Sequence, residues 1–269
     1  MPQTASSPQD APPSSDAAGG RLSGKSILIT GASGAVGQAC LESFLQVGAN
    51  VMMTDRTAPP PVVHANVHFQ AADVTNRAAV AAVFEAAVRR FGRVDAAVLA
   101  AGVEGAVGPI ESISETDFDA ALAVNVKGTL FGMQACLPHM KANRSGSIVA
   151  LSSISGVVGA ASLGPYVTSK HAVIGLVRTA ALEAGRHGVR VNAVCPGPID
   201  SEMMRRLDKA LSAQDPNRTA GQADASKSIP LQRYASAADV ARMIAFLCGD
   251  DSASCNGGTY MVDGGFTAR

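Results

Sequence analysis

Two side chains in the stretch Tyr166-Val167-Thr168-Ser169-Lys170 could together carry out a proton transfer. If this stretch is helical, the Tyr166 phenol and the Lys170 ammonium lie on one face, about one turn apart. The nearby cation favours phenolate, because opposite charge stabilises the ionised form. A free tyrosine titrates near pH ~10, so a base that works near neutrality needs its pKa lowered by roughly 2–3 units. The spacing therefore predicts a tyrosine base with a lysine beside it, although any exposed helix can carry such a pair.

A serine lies thirteen residues before the tyrosine, directly after an apolar run. The run Ile148-Val149-Ala150-Leu151 is typical of a buried strand. The Ser153 hydroxyl would then lie at the carboxyl end of that strand, the edge at which parallel sheets bind ligands. Taken alone, this serine could equally be a turn residue.

Apolar runs of strand length alternate with helical patterns along the chain. Strands are predicted at residues 26–29, 50–54, 67–70, 94–99, 148–151, 189–194 and 259–262. Helices are predicted at residues 35–47, 76–91, 114–140, 165–187 and 236–248. This alternation is typical of parallel β-α-β units. We therefore predict an α/β fold, a Rossmann-like, doubly wound, seven-stranded parallel sheet with helices on both faces, in a single domain over residues 22–269.

Two segments depart from the alternation. Residues 1–21 are rich in Pro, Ser, Ala and Asp and are predicted to be a disordered tail, because they bury too little apolar surface to fold. Residues 201–228 combine a helical pattern with an aperiodic polar stretch and follow the carboxyl end of a strand. Since long insertions at that position usually cover the ligand crevice, we predict a mobile substrate lid, with a plain surface loop as the alternative.

The composition argues against several classes of partner. The 269 residues include 22 Lys plus Arg and 22 Asp plus Glu, so no charge surplus favours a nucleic acid. By inspection, no apolar run is long enough to span a membrane, and the five histidines lack the spacing of metal ligands. The five cysteines contain no C-x-x-C pair, which indicates no disulfide framework and favours the reducing cytoplasm.

A glycine-rich turn joins the first predicted strand to the first predicted helix. Glycines in this place let the backbone approach a pyrophosphate at a helix N-terminus. The residues that would line the turn are Gly31, Ser33, Gly34, Ala35, Val36 and Gly37. About 20 residues further on, Asp55 would accept hydrogen bonds from an adenosine ribose and repel a 2′-phosphate, which predicts NAD as the cofactor. Arg56 could instead bind that phosphate, so the strictness of the preference stays open, and Asp55 as a simple turn residue is the alternative.

With these motifs in this order, the chain resembles the short-chain dehydrogenase/reductase family, in its compact single-domain branch. The resemblance covers nearly everything after the tail. The motifs that carry it are TGASGAVG at 30–37, Asp73-Val74, Ala100-Ala101-Gly102, Asn125-Val126-Lys127-Gly128, Ser153, Tyr166 with Lys170, and Pro196-Gly197. Two departures are Ala35, where the compact branch has a glycine, and Ala100, where the family has an asparagine that supports the sheet and the cofactor pocket.

The resemblance implies a role for each matching residue. Asp73 and Val74 would contact the adenine. Ala101 and Gly102 would line the ribose side. The nicotinamide amide would be held by Pro196, Gly197, Ile199 and Ser201. Lys170 would also bind the nicotinamide ribose, and Ser153 would hydrogen-bond the substrate oxygen. Asn125 would position Lys170 through a water molecule.

The implied activity is that of an NAD-dependent oxidoreductase that interconverts a secondary alcohol and a ketone, with Tyr166 exchanging the proton. The expected pocket walls, residues 103–107 and 154–158 with Met203, Met204 and Leu207, are mostly apolar, and the second of them is expected to continue to Pro165. They favour a neutral cyclic or aromatic substrate.

Other functions stay open at this point. A 3-oxoacyl-thioester reductase and a polyol or sugar dehydrogenase are the enzyme alternatives, and a non-catalytic dinucleotide-binding scaffold is the remote one. Arg205 and Arg206 are expected to face solvent, and Glu104 is a possible polar contact for the substrate. Residues 255–269 resemble the family's subunit-contact end and imply a homotetramer.

Overall fold

A computed structural model of the chain describes residues 22–59, 63–214 and 226–268. The predicted tail, residues 1–21, lies outside the described residues. The same holds for residues 215–225, which form part of the predicted lid.

Seven strands form one sheet, and every neighbouring pair is parallel. In chain order the strands are Ser26–Thr30 (β1), Asn50–Thr54 (β2), Val67–Phe69 (β3), Ala96–Leu99 (β4), Gly146–Leu151 (β5), Val189–Pro196 (β6) and Thr259–Val262 (β7). Across the sheet their order is β3-β2-β1-β4-β5-β6-β7. The predicted seven-stranded parallel sheet is confirmed, and β6 extends two residues beyond its predicted end.

Helices cover both faces of the sheet. They are Ala35–Gln46 (α1), Arg77–Phe91 (α2), Glu115–Leu122 (α3), Gly128–Ala142 (α4), Gly164–Gly185 (α5), Glu202–Gln214 (α6) and Ala237–Cys248 (α7). On one face the core joins α2, α4 and α5 to strand residues such as Leu28. On the other it joins α1 and α7 to residues such as Ile27 and Ile29. Because successive strand side chains point to opposite faces and both faces are covered, the strands are apolar throughout rather than alternating.

The direction of winding changes between β1 and β4. From β1 the chain proceeds outward through β2 to β3, and then returns to add β4 on the opposite side. The loops that leave the carboxyl ends of β1 and β4 therefore diverge. In open parallel sheets this divergence creates the crevice in which ligands bind.

The helical stretch Glu115–Ala142 is the most apolar of the long helices. By length and composition it could cross a membrane, because the mean hydropathy of an 18-residue window within it is 1.2. This differs from the expectation that no apolar run is long enough to span a membrane. In the fold, α4 packs against α2 and the sheet and buries Met133, Cys136 and Met140. This role as a core helix accounts for part of its apolar character, since 39% of its apolar window is buried.

Candidate active site

Two glycines allow the turn after β1 to pack closely against its neighbours. Gly31 has a φ of +68°, and a Cβ on it would lie 2.6 Å from the Ala101 nitrogen. A Cβ on Gly37 would lie 2.4 Å from the Gly31 oxygen. Both contacts are with backbone, so neither position accepts a side chain. These glycines bring the start of α1 next to the loop after β4, where its N-terminal amides face the cleft.

The departure in the glycine motif, a glycine at position 34 rather than 35, has a simple steric explanation. A Cβ on Gly34 would approach only the Gly31 oxygen, at an ordinary 3.4 Å, and its φ is −75°. Ala35 is exposed at the edge of the cleft. Neither position is confined by backbone as Gly31 and Gly37 are, so the shift of a glycine from 35 to 34 leaves the turn intact.

Asp55 is tied to the glycine turn by hydrogen bonds. Its Oδ2 accepts from the Ser33 backbone nitrogen at 3.0 Å, and its Oδ1 accepts from the Arg56 nitrogen at 2.7 Å. The Ser33 hydroxyl in turn donates to the Thr57 oxygen at 2.7 Å. The carboxylate is therefore held at the end of β2, on the cleft, with Arg56 exposed beside it.

Asp73 and Val74 follow β3 at the same edge. The backbone nitrogen and hydroxyl of Thr75 both donate to Asp73 Oδ1 at 2.8 Å, and these bonds lower the pKa of the carboxyl. Val74 packs against Gly128, where an added Cβ would lie 2.8 Å from the valine side chain. The glycine that opens α4 thus lets this helix approach the Asp73-Val74 segment.

Ser153, Tyr166 and Lys170 meet in the cleft, although three different backbone segments hold them. Ser153 follows β5 and caps a short 3₁₀ turn, its hydroxyl accepting from the Ser155 nitrogen at 3.1 Å. Tyr166 lies in the first turn of α5, close enough to Ser153 that the serine side chain lowers the pKa of the phenol. The Lys170 ammonium lies 5.6 Å from the centre of the tyrosine ring and donates to the Leu151 oxygen at 2.8 Å. The predicted i, i+4 pair therefore shares one side of the cleft with the serine.

The charge state of this group differs from the expectation. Burial raises the pKa of Tyr166, although the hydrogen bond with Ser153 opposes the rise. Burial also lowers the pKa of Lys170 to about 8, since only 4% of this residue is exposed. In the chain by itself the pKa of Tyr166 is therefore raised, whereas the expected lowering combines Lys170 with a positively charged cofactor ring. The physical reason is that desolvation of the phenol outweighs a cation that is itself desolvated and bonded to a carbonyl.

Asn125 lies behind the cleft rather than in it. It occupies a π-helical turn, Ala123–Lys127, between α3 and α4 and is buried. Its Nδ2 donates to the Val103 oxygen at 2.9 Å and to the Ser169 hydroxyl at 2.8 Å, while its Oδ1 accepts from the Val103 nitrogen at 2.8 Å. Ser169 then donates to the Tyr166 oxygen at 2.7 Å. Asn125 therefore joins the loop after β4 to the first turns of α5.

Residues after β6 form the far end of the cleft. Pro196, Gly197, Ile199 and Ser201 all line it. Backbone bonds from Gly197 to Val262 at 3.0 Å, and an isolated bridge between Ile199 and Ala235, fix this segment. The Ser201 hydroxyl accepts from the Met204 nitrogen at 3.2 Å, so it also caps α6.

The cleft has a volume of about 970 Å³ and runs from the glycine turn to α6. The predicted residues that line it are Gly31, Ser33, Gly34, Ala35, Val36, Gly37, Asp55, Arg56, Asp73, Val74, Ala101, Gly102, Ser153, Tyr166, Lys170, Pro196, Gly197, Ile199 and Ser201. Of the predicted site residues, only Asn125 does not line it. Within the described ranges, no cluster of three or more His, Cys, Asp or Glu could hold a metal ion.

The expected substrate walls are partly displaced. Val103, Glu104, Ile154 and Ser155 line the cleft, and α6 covers it with Met203, Met204, Leu207 and Leu211. The remaining residues of 103–107 and 154–158 do not belong to the lining. Ala160, Ala161 and Leu163, which lie in the wall expected between residues 154 and 165, also line the cleft, whereas sequence analysis missed Phe266. Nothing near Phe266 in the sequence indicated this, because the residue arrives from the C-terminal turn.

Arg206 is exposed, as predicted, but it also makes ion pairs that the sequence did not indicate. It donates from Nε to Glu104 Oε1 at 3.0 Å and from Nη1 to Glu202 Oε1 at 3.2 Å. Glu104 belongs to the loop after β4, so this ion pair crosses the cleft. Arg205 pairs with Asp200, a residue on its own side of the cleft, at 3.1 Å.

The chain is similar in sequence to a known protein family and to several characterised enzymes. A protein-family profile described as Enoyl-(Acyl carrier protein) reductase matches residues 31–267. Levodione reductase of Leifsonia aquatica is 32% identical over 262 residues, covering 92% of this chain and 96% of the relative. The 3-oxoacyl-(acyl-carrier-protein) reductase FabG of Thermotoga maritima is 34% identical over 254 residues, covering 91% and 98%.

Solved structures agree with the sequence comparisons. The crystal structure of levodione reductase has a TM-score of 0.86 at 31% identity and covers 92% of this chain and 99% of its own. ElxO with NADP bound has a TM-score of 0.81 at 30% identity, covering 91% and 99%. NAD⁺-bound xylitol dehydrogenase has a TM-score of 0.84 at 27% identity, covering 90% and 98%.

Proposed function

The chain belongs to the short-chain dehydrogenase/reductase family, and from that premise we propose that it is an NAD-dependent enzyme that interconverts a secondary alcohol and a ketone. Membership makes it an oxidoreductase that uses a nicotinamide dinucleotide; the choice of NAD and the substrate class are the proposal. One observation carries it. Ser153, Tyr166 and Lys170 meet at the end of a cleft whose other end is a glycine turn with Asp55 beside it.

The residues present fit a dinucleotide. The glycine turn and the start of α1 line the cleft, where the helix N-terminus would hold a pyrophosphate, and Asp55 would hold the adenosine ribose. Asp73 and Val74 would hold the adenine. The second ribose would be held by Ala101, Gly102, Tyr166 and Lys170. The nicotinamide would be held by Pro196, Gly197, Ile199 and Ser201. When bound, the nicotinamide supplies the hydride chemistry.

The chain's own groups move and stabilise the proton. In oxidation Tyr166, as phenolate, takes the alcohol proton, and in reduction it returns that proton. Ser153 donates a hydrogen bond to the substrate oxygen and stabilises the charge that develops on it. The Lys170 ammonium lies 5.6 Å from the centre of the tyrosine ring, where its positive charge would favour the phenolate. Asn125 positions the start of α5 through Ser169.

The substrate is proposed to be a neutral molecule with an apolar, cyclic or aromatic body. Support comes from the apolar side chains that cover the proton-transfer end, chiefly Met203, Met204, Leu207 and Ile154. A panel of secondary alcohols and ketones, each with NAD(H) and NADP(H), tests the proposal. We expect cyclic or aromatic alcohols to be oxidised faster with NAD than with NADP. No turnover of any member with either cofactor would contradict the proposal.

A second candidate is a 3-oxoacyl-thioester reductase. The similarity to FabG and the description of the matching family profile favour it. Arg56, exposed next to Asp55, could bind the 2′-phosphate of NADP, which a biosynthetic reductase would more often choose. Faster reduction of a 3-oxoacyl thioester with NADPH than of any simple ketone with NADH would make this the better assignment.

The cofactor preference predicts the effect of removing the Asp55 charge. Asp55→Ala is expected to raise the KM for NAD and to lower the NAD-to-NADP ratio of kcat/KM roughly 10–100-fold, because a repulsion of about 1.4–2.8 kcal/mol disappears. Asp55→Asn is the matched variant, since its side-chain oxygen can still accept from the Ser33 nitrogen. Steady-state kinetics with both cofactors measure the ratio. If the ratio is the same in both variants and in the parent, Asp55 does not select NAD.

We also infer a homotetramer. Leu182 on α5 is 85% exposed, and only 39% of the apolar window in the stretch Glu115–Ala142 is buried within one chain. Apolar surface of this kind is usually covered by another subunit. Sedimentation velocity is expected to give a tetramer and Leu182→Glu a smaller species. Val63→Glu, at a fully exposed valine in the loop before β3, serves as control. A monomeric parent protein would refute the inference.

The cytoplasm is the proposed compartment. All five cysteines are free thiols, and four of them are buried. Burial raises the pKa of Cys136 and of Cys248 to about 12, so these thiols are unreactive core groups. Such cysteines suit a reducing environment.

A further inference from the structure

We propose that Arg206 is a positioning residue, which holds α6 over the cleft through Glu104 and neutralises the carboxylate that faces the Tyr166 phenol. The inference rests on the proposed function, in which Tyr166 is the base. It gives the pair a task that neither residue has in cofactor binding. It also couples the covering of the substrate by α6 to the ionisation of Tyr166.

The ion pair links a fixed side of the cleft to α6. Glu104 follows Val103, whose nitrogen and oxygen are both bonded to Asn125, so the position of the carboxylate is set by the protein interior. Its side chain is only 17% exposed, whereas that of Arg206 is 59% exposed. Glu202, one turn earlier on α6, accepts from the same guanidinium and orients it. The arginine therefore reaches from the exposed helix to a largely buried carboxylate.

The charge on Glu104 acts on the tyrosine. It raises the pKa of Tyr166, in addition to the larger effect of burial. The other groups that face the phenol are Ser153, whose hydrogen bond lowers the pKa, Cys195 on β6, which raises it, and Lys170 on α5. A guanidinium 3.0 Å from the Glu104 oxygen offsets much of the negative potential at the phenol.

The consequence is a base that depends on the position of the helix. When Arg206 contacts Glu104, α6 covers the cleft and the carboxylate is neutralised, which favours phenolate. When α6 moves away, the bare carboxylate opposes ionisation and Tyr166 keeps its proton. Proton abstraction is thereby restricted to the covered cleft.

Ionisation of Tyr166 can be measured without knowing the substrate. The chain has three tyrosines and no tryptophan, so the near-ultraviolet absorbance of phenolate is easily read. The titration of the cofactor-bound protein minus that of its Tyr166→Phe counterpart isolates this residue. The proteins compared are the parent, Arg206→Gln, Glu104→Gln and the double variant. Arg205→Gln is the control, because Arg205 pairs with Asp200 instead.

We expect Arg206→Gln to raise the midpoint by about half a pH unit and Glu104→Gln to lower it by a similar amount, as one partly screened charge would do. The double variant should titrate near the parent, and Arg205→Gln should not shift. The acidic limb of kcat/KM for alcohol oxidation should move in the same directions, which a merely structural role would not produce.

Two results would overturn the inference: unshifted midpoints in both Arg206→Gln and Glu104→Gln, or an equal shift in Arg205→Gln. If Glu104→Gln does not fold, Arg206→Gln alone decides between a raised and an unchanged midpoint. Failure of the proposed function is a different outcome. In that case Tyr166→Phe keeps its turnover, whereas here turnover requires Tyr166 and only the midpoints fail to move.

Discussion

Tyr166→Phe is expected to lower kcat by about 10²–10⁴-fold while leaving the affinity for the reduced cofactor nearly unchanged. The phenol is the acid–base group that we place next to a substrate held at Ser153. The substitution removes that hydroxyl and keeps the ring, which packs at the start of α5. The face of the ring next to the Lys170 ammonium is also kept, so the lysine loses no neighbour of similar size.

Kinetics and binding must be measured on the same preparation. Cofactor affinity is read from the fluorescence of bound reduced nicotinamide, and turnover from its absorbance with the best alcohol of the panel. Tyr260→Phe is the matched control, because Tyr260 lies on β7 and does not line the cleft. A Tyr166→Phe protein that keeps most of its rate would show that another group is the base.

The sheet and the order of the motifs could be predicted because they depend on local patterns. Strands covered on both faces appear as short continuous apolar runs, and helices between them leave a parallel arrangement as the solution. Gly31 and Gly37 could be predicted for a related reason, since they stand where backbone meets backbone. In each case, the residues that form the structural feature are the same residues that form the sequence pattern, or lie within a few positions of them.

The contacts that shape the proton-transfer end could not be predicted in this way. Arg206 and Glu104 are 102 residues apart, and the doublet Arg205-Arg206 carries no local sign that its two members have different partners. Asn125 is expected to position Lys170 through a water molecule, and nothing in the sequence indicated its direct bonds to Val103 and Ser169, which it makes from a π-helical turn. These are consequences of how loops from different strands meet.

The pKa of Tyr166 illustrates the same limit. Its sequence neighbour is a cation, which by itself favours phenolate. Burial of the phenol is a property of the whole cleft and acts in the opposite direction, with the larger effect. A pattern can therefore identify the acid–base group, but its ionisation depends on the fold around it and on the charges that enter the cleft.

Lys170→Met is expected to abolish efficient turnover and, below about pH 8, to leave the cofactor-free protein as stable as the parent or up to about 2 kcal/mol more stable. Burial lowers the pKa of Lys170 from 10.5 to about 8, a shift equivalent to roughly 3 kcal/mol against the buried cation. Methionine removes this penalty with little change in volume. Loss of the bond to the Leu151 oxygen costs about 1–3 kcal/mol in the other direction.

The dependence of this difference on pH identifies its cause. Below about pH 8, Lys170 is charged in both the folded and the unfolded chain, so the full penalty is present. Between about pH 8 and 10.5 the unfolded chain binds more protons than the folded one, and the stability of the parent therefore rises with pH relative to the variant. Denaturant unfolding at several pH values should show the variant lose roughly 3 kcal/mol of relative stability across that window. Lys127→Met, at an exposed lysine, should show no such trend. A stability difference that is constant with pH would mean that burial does not lower the pKa of Lys170 in the folded chain.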